Sequence, residues 1–383
     1  MDSIVTHILA LSLLLVFSPY ISRFLNLQTA PIEIIIGSLL GYIGWIGGGE
    51  SNEGSHYFDL VAEVGFLYLM FLAGLEINLK SIFKIPKTHI FKSINFLIVL
   101  ILITPIIGHF IFRFNYIITV ALPLISVGLL ATLSKEYGKA NWINIALLVG
   151  AIGEVLSITA LTILEVSISV GFGKEFIYKI SILFIFLVAI LLLYHLLRLI
   201  FWWYPELKNK MMPPLNNNNQ DFRIAIGIFF FMIVIMKIVH LELAFGAFIA
   251  GLFISTFFHH KKQLENKITS FGFGFLIPIF FIHVGASFDY SYFLSSIGMA
   301  IKILIAMIII KLLASLTLTK LLKLKELMLL SLSLSMPLTL LVATATVGYG
   351  AGIVDDIEYN ALILASILEV ILFMITIKYI AKE

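Results

Sequence analysis

What most constrains this chain is the recurrence of long apolar runs. From Ile4 to Ile380 the sequence is a succession of stretches of roughly 17 to 28 residues, separated by short polar breaks. An α-helix rises about 1.5 Å per residue, so about 20 residues cross a hydrocarbon core some 30 Å thick. Apolar residues make up 61% of the chain and charged residues 12%, more than a soluble domain needs for one core. The mean hydropathy of +1.08 says the same. The solvent for such a chain is lipid, and the spans read as helices, predicting an all-α polytopic membrane protein.

The runs predict about thirteen transmembrane helices, near 4–22, 31–48, 58–77, 89–112, 116–133, 142–165, 176–203, 222–240, 242–258, 271–287, 293–319, 326–348 and 358–380. The first run lacks the basic flank and cleavage site of a signal peptide and reads as a retained helix. Tyr204 to Gln220, with Pro213, Pro214 and four consecutive Asn, reads as an extended polar loop. There is no cysteine, which excludes disulfides and thiolate chemistry. Lys and Arg concentrate in the loops after odd-numbered spans, for example Arg23, Lys80, Lys84, Lys208, Lys261, Lys320 and Lys378. The opposite loops hold Arg113, Lys174 and Lys179, with acids such as Glu50, Asp289 and Asp355. The asymmetry predicts an N-terminus outside and a cytoplasmic C-terminus in a plasma or inner membrane.

The two halves resemble each other. Glu33 and Gly37 recur 209 residues later as Glu242 and Gly246, and Gly74 and Asn78 recur after 211 as Gly285 and Asp289. Pro123 recurs after 214 as Pro337, and Glu154 after 215 as Glu369. The matched spans lie seven apart, an odd number, so the halves have opposite orientations. Such an inverted-topology repeat is a transporter architecture, whose site is sought where corresponding spans are broken by Pro or Gly. Those spans carry Pro123 with Gly128, and Pro337. A proline removes an amide donor and frees the carbonyl one turn earlier to face a cation.

Charges inside the membrane narrow the site, because each costs several kcal/mol unless paired, hydrated or neutralised. Glu154 follows Trp142 by twelve residues, about 18 Å along a helix, near mid-depth and out of reach of water. It can hold a proton or a metal cation. Lys311 is also deep, either as the structural partner of a carboxylate or in transport. Glu369 reads as a structural carboxylate, and Glu33, Glu63, Glu242 and His283 are assigned no chemistry. No His cluster, phosphate loop or nucleophile motif suggests an enzyme or a cofactor, and nothing suggests nucleic acid.

Five segments, EVGFLYLMFLAGLEINL (63–79), ISVGLLATLSKEYG (125–138), GAIGEVLSI (150–158), FGAFIAGLFIS (245–255) and FGFGFLIPIFFIHVGASFD (271–289), resemble the monovalent cation:proton antiporters, in their Kef-type sodium/hydrogen exchanger branch. The resemblance covers nearly the whole chain. It implies a homodimer, with a scaffold of 1–87 and 222–292, a moving core of 88–170 and 293–383, and a linking helix at 176–203. It also implies two interrupted helices crossing near an acidic ion-binding residue, which falls on Glu154, with a hydroxyl neighbour at Ser126 and a supporting lysine at Lys311. The cargo would be Na⁺ or K⁺ against H⁺. Many relatives have two adjacent Asp where this chain has Gly153 and Glu154, and often Thr where it has Ile125, so one carboxylate remains and exchange is expected to be electroneutral. The sequence ends soon after the thirteenth span, without the nucleotide-binding domain of many Kef-type potassium systems, which favours a simple exchanger and leaves Na⁺, the favoured cation, open against K⁺. A K⁺/H⁺ exchanger or K⁺ efflux pathway is the alternative transport reading. A non-transporting receptor or sensor is the alternative from another class.

Overall fold

The computed structural model describes residues 3–25, 29–46, 53–76, 86–137, 140–171, 173–204, 206, 219–239, 241, 243–258 and 262–382. Most of the polar loop at 204–220, together with Lys80, Lys84, Lys208, Lys261 and Glu242, lies outside them. Among the described residues the regular structure is helical, with no strand. In chain order the helices are α1 (Ser3–Leu25), α2 (Thr29–Ile43), α3 (Glu53–Glu76), α4 (Lys87–Pro105), α5 (Tyr116–Ala121), α6 (Gly128–Tyr137), α7 (Asn141–Val170) and α8 (Lys174–Trp203). They continue as α9 (Gln220–Ile238), α10 (Leu243–Phe258), α11 (Lys262–Phe271), α12 (Ile277–Ala286), α13 (Phe293–Ser315), α14 (Leu324–Leu334), α15 (Leu338–Gly350) and α16 (Asp356–Lys382). Each expected span has its helix, and two spans are split, into α5 with α6 and α14 with α15.

Among the described residues, six helical stretches are long and apolar enough to cross a membrane, and α14 with α15, bent by 42°, make a seventh if taken as one span. Their outward faces are apolar. On α4 and the π-helical turn that continues it (Ile106–Ile111), Phe91, Ile98, Leu102, Ile106 and Phe110 are exposed at helical spacing, a stripe that lipid covers and water would not. The helix ends differ from the hydropathy reading for identifiable reasons. The second span ends at Ile43 and not near 48, because Gly44 turns into the left-handed region at φ 77° and stops the helix. The tenth begins about nine residues early, at Lys262. There α11 is amphipathic, and a π turn at Gly272–Leu276 joins it to the apolar α12. A hydropathy window misses such a prelude.

The chain forms two compact units. The first comprises Met1–Gly65, Leu79–Leu161 and Gly274–Glu383, the second Phe66–Asn78 and Thr162–Phe273. In the first, α2 lies along α12, α13 along α16, and α15 along α16. The α2–α12 contact is made by glycines: the missing side chain of Gly37 faces the Ile282 carbonyl, and that of Gly285 faces the Ile34 carbonyl. In the second unit, α9 lies along α10, and Gly74 of α3 faces the Phe248 carbonyl of α10 while Gly251 of α10 faces the Phe71 carbonyl of α3. Small residues admit this backbone approach, which substitutes for a hydrophobic driving force in lipid. A Gly251→Val protein is therefore expected to lose about 1–3 kcal/mol through overpacking, and a lowered melting temperature in detergent would register it. Wild-type melting would show that the two backbones are not in contact.

Candidate functional site

The first broken helix lies wholly within the first unit. Asn115 caps α5, its Oδ1 accepting from the Ile118 amide at 2.8 Å, and its Nδ2 donates to Glu358 Oε2 at the start of α16, also at 2.8 Å. Asn favours this position because its side chain replaces the missing turn of acceptors. The helix stops at Ala121, residues 122–127 are non-helical, and α6 resumes at Gly128. Pro123 lies in the turn that opens the break, and Gly128 opens the second arm. Pro337 occupies the cap position of α15, after the break at Ser335 and Met336.

The long helix α7 supplies the side chains that face the first break. Glu154, near the middle of α7 and 1% exposed, accepts through Oε1 from Ser126 Oγ at 3.1 Å. Three residues on, and so on the same face, Ser157 Oγ accepts from the Ile125 amide at 2.9 Å. Thus two hydrogen bonds hold adjacent residues of the break, one to a side chain and one to the backbone. Lys311, fully buried on α13, reaches the same break and donates from Nζ to the Leu124 carbonyl at 3.0 Å. A carboxylate, a hydroxyl and backbone carbonyls are the hard oxygen donors that an alkali cation takes in place of water. A carboxylate can also bind a proton.

The second break comes close to this cluster. Along the first broken span and the second, α5 packs against α15 and α6 against α14, so the arms run in opposite order. Gly150, one turn before Glu154, sits between them: a Cβ there would fall 2.7 Å from Leu130, 3.3 Å from Val127 and 3.9 Å from Leu334. Gly153 has a matching reason. A Cβ at that position would come within 2.9 Å of Ile125 Cδ1, so the bulk of Ile125 and the absence of a side chain at 153 form one packing unit.

A profile described as "Sodium/hydrogen exchanger, transmembrane" matches residues 11–383. The chain belongs to the sodium/hydrogen exchanger family. Relatives of this family member include the putative Na⁺/H⁺ antiporter YjbQ of Bacillus subtilis, 26% identical over 283 residues that cover 69% of this chain and 44% of that protein. A Na⁺/H⁺ antiporter of Enterococcus hirae is 25% identical over 305 residues, covering 77% of this chain and 76% of the relative. The fold is also that of the sodium proton antiporter MjNhaP1 of Methanocaldococcus jannaschii, solved at pH 8. The TM-score is 0.70, with 15% identity, over 100% of this chain and 99% of that one. The matched stretch thus spans less than half of the B. subtilis relative.

Of the residues singled out by sequence, Ser126, Glu154 and Lys311 meet at one break, while Pro123, Gly128 and Pro337 delimit the two interruptions. Ser157 and the Leu124 carbonyl were not anticipated. Ser157 was accessible through its three-residue spacing from Glu154. A carbonyl carries no signal in its own residue type. Of the residues left without chemistry, Glu33 accepts from Ser18 of α1 at 3.2 Å, and His283 contacts Asp59 at 3.0 Å.

Proposed function

We propose that this family member is a secondary antiporter, exchanging Na⁺ for H⁺ by alternating access, with Glu154 as the carrier of both ions. The observation that carries the reading is a buried carboxylate held by a hydroxyl at a helix break in a chain of the sodium/hydrogen exchanger family. Na⁺ occupies Glu154, Ser126 Oγ and a carbonyl of residues 122–127 on one side of the membrane. The site is then exposed to the other side, releases Na⁺ and returns with a proton on the same carboxylate. Competition for one group couples the fluxes without a separate gate. The names of the B. subtilis, E. hirae and M. jannaschii proteins support Na⁺ as the cation.

The further reading is a homodimer of the Kef-type branch, with scaffold segments 1–87 and 222–292, core segments 88–170 and 293–383, and linking helix 176–203. Its N-terminus is outside and its C-terminus cytoplasmic. An inverted repeat with crossing interrupted helices is supported by two kinds of contact. In the repeat α2 corresponds to α10 and α3 to α12, so the glycine-mediated pairings α2–α12 and α3–α10 are two copies of one pairing, and the arms of the broken spans pack in opposite order.

The test is purified protein in vesicles with an imposed pH gradient, challenged with Na⁺, Li⁺ or K⁺. Dissipation on adding Na⁺ is expected. Dissipation by K⁺ alone would replace the cation, and none with any ion would leave the receptor reading. A Ser126→Ala protein should retain exchange with an apparent KM for Na⁺ raised about tenfold or more, since a hydrogen bond to a charged group contributes about 1.5–3 kcal/mol and 1.4 kcal/mol is tenfold. An unaltered KM would remove Ser126 from the cation shell.

A further inference from the structure

Lys311 touches both broken spans, and its charge has a candidate counterpart outside the site described above. Its Nζ donates to the Leu124 carbonyl inside the first break, and its own carbonyl accepts from Ser331 Oγ of α14, the first arm of the second break, at 3.2 Å. On α16, which packs along α13, Glu369 is 0% exposed, and neither of its carboxyl oxygens has a hydrogen-bond donor among the described residues. Glu369 and Lys311 attract each other electrostatically without a direct hydrogen bond. An ionised carboxylate or ammonium that is alone in a low-dielectric interior is strongly destabilising, whereas the two together carry no net charge.

We propose that Glu369 is the counter-charge of Lys311, and that this pair holds Lys311 on the Leu124 carbonyl and so fixes the first break in its ion-accepting geometry. Glu369 is then a positioning residue: it contacts no ion, and acts through Lys311 on a carbonyl two residues from Ser126. The arrangement links α16, α13 and both interrupted spans in one chain of contacts, from Glu369 through Lys311 to Leu124 on one side and Ser331 on the other. A carboxyl group that merely filled space would be indifferent to replacement by its amide. The inference rests on the exchanger reading for its transport consequence, but not for the pairing itself.

The experiment compares wild type, Glu369→Asp, Glu369→Gln, Lys311→Gln and the double Glu369→Gln/Lys311→Gln protein by melting in detergent and by exchange in vesicles. Glu369→Gln is expected to raise the apparent KM for Na⁺ about tenfold and to melt lower, while Glu369→Asp, which keeps the charge, stays within about threefold of wild type. The double variant should melt above the level that the two single losses predict when added, because removing both charges leaves no lone ion. If Glu369→Gln does not accumulate as folded protein, recovery of folded protein in the double variant supports the pairing equally. Additive melting losses, no such recovery, or a Glu369→Gln protein with wild-type KM would overturn the pairing. If wild type exchanges no cation while melting still couples positions 311 and 369, the transport reading fails and the pair stands.

Discussion

A Glu154→Gln protein is expected to fold, reach the membrane and exchange nothing measurable. Gln keeps the shape of the side chain, and its Oε1 can still accept from Ser126 Oγ, so the 3.1 Å contact between α7 and the first break need not be lost. What disappears is the negative charge. Without it a cation entering the break would be an uncompensated charge in a low-dielectric interior, at a cost of several kcal/mol. At 1.4 kcal/mol per tenfold, even about 3 kcal/mol lowers occupancy more than a hundredfold. The amide cannot take up the proton of the return step either, so both half-cycles stop. Dissipation of a pH gradient in vesicles, alongside gel filtration to establish folding, checks the expectation. Exchange near the wild-type rate would take the carrier role from Glu154, and Lys311 with Glu369 would then be the buried charges to examine.

The fold was largely legible because lipid imposes a strong and local rule: a run of apolar residues long enough to cross must be a helix. Proline and glycine likewise marked the two interruptions, since their effects on the backbone belong to the residues themselves. The errors arose where a neighbouring element decides the outcome. The amphipathic α11 continues into an apolar helix through a π turn, and hydropathy averages treat its polar face as a boundary. At the site, Glu154 stood out by its depth beside an interrupted helix and by the resemblance that places an ion-binding acid there. The Leu124 carbonyl did not, because it matters only once Lys311 arrives from 187 residues away. Glu369 reads as structural by sequence because no polar residue adjoins it in the chain. Its surroundings are set by α13, and packing of helices distant in sequence is not written in local pattern. Gly153 and Ile125 illustrate the same limit. Taken singly neither residue points to the other, whereas in space one makes room for the other.

Exchange is further expected to be indifferent to membrane potential, and the reason lies in how charge is counted at the break. If Glu154 is the only group that changes its occupant, the site crosses as a carboxylate with Na⁺ in one direction and as a carboxylic acid in the other. Both forms have the same charge, so one-for-one exchange moves none. The threat to this stoichiometry is Lys311, which is buried within reach of the break and would add a second proton per cycle if it released one when Na⁺ bound. Each cycle would then transfer one net charge, and 100 mV would supply about 2.3 kcal/mol, a nearly fiftyfold shift in the equilibrium ratio. Glu369 bears on this choice. As its counter-charge, Glu369 forms with Lys311 a neutral pair that crosses or stays without altering the count, so the lysine keeps its proton throughout. Vesicles loaded to give a potassium-diffusion potential, with Na⁺ as the test ion, separate the cases: rate and end point are expected to be unchanged between zero and about 100 mV of either sign. A strong shift with potential would place a second proton in the cycle. Loss of that shift in a Lys311→Ala protein that still exchanges would identify the lysine as its carrier.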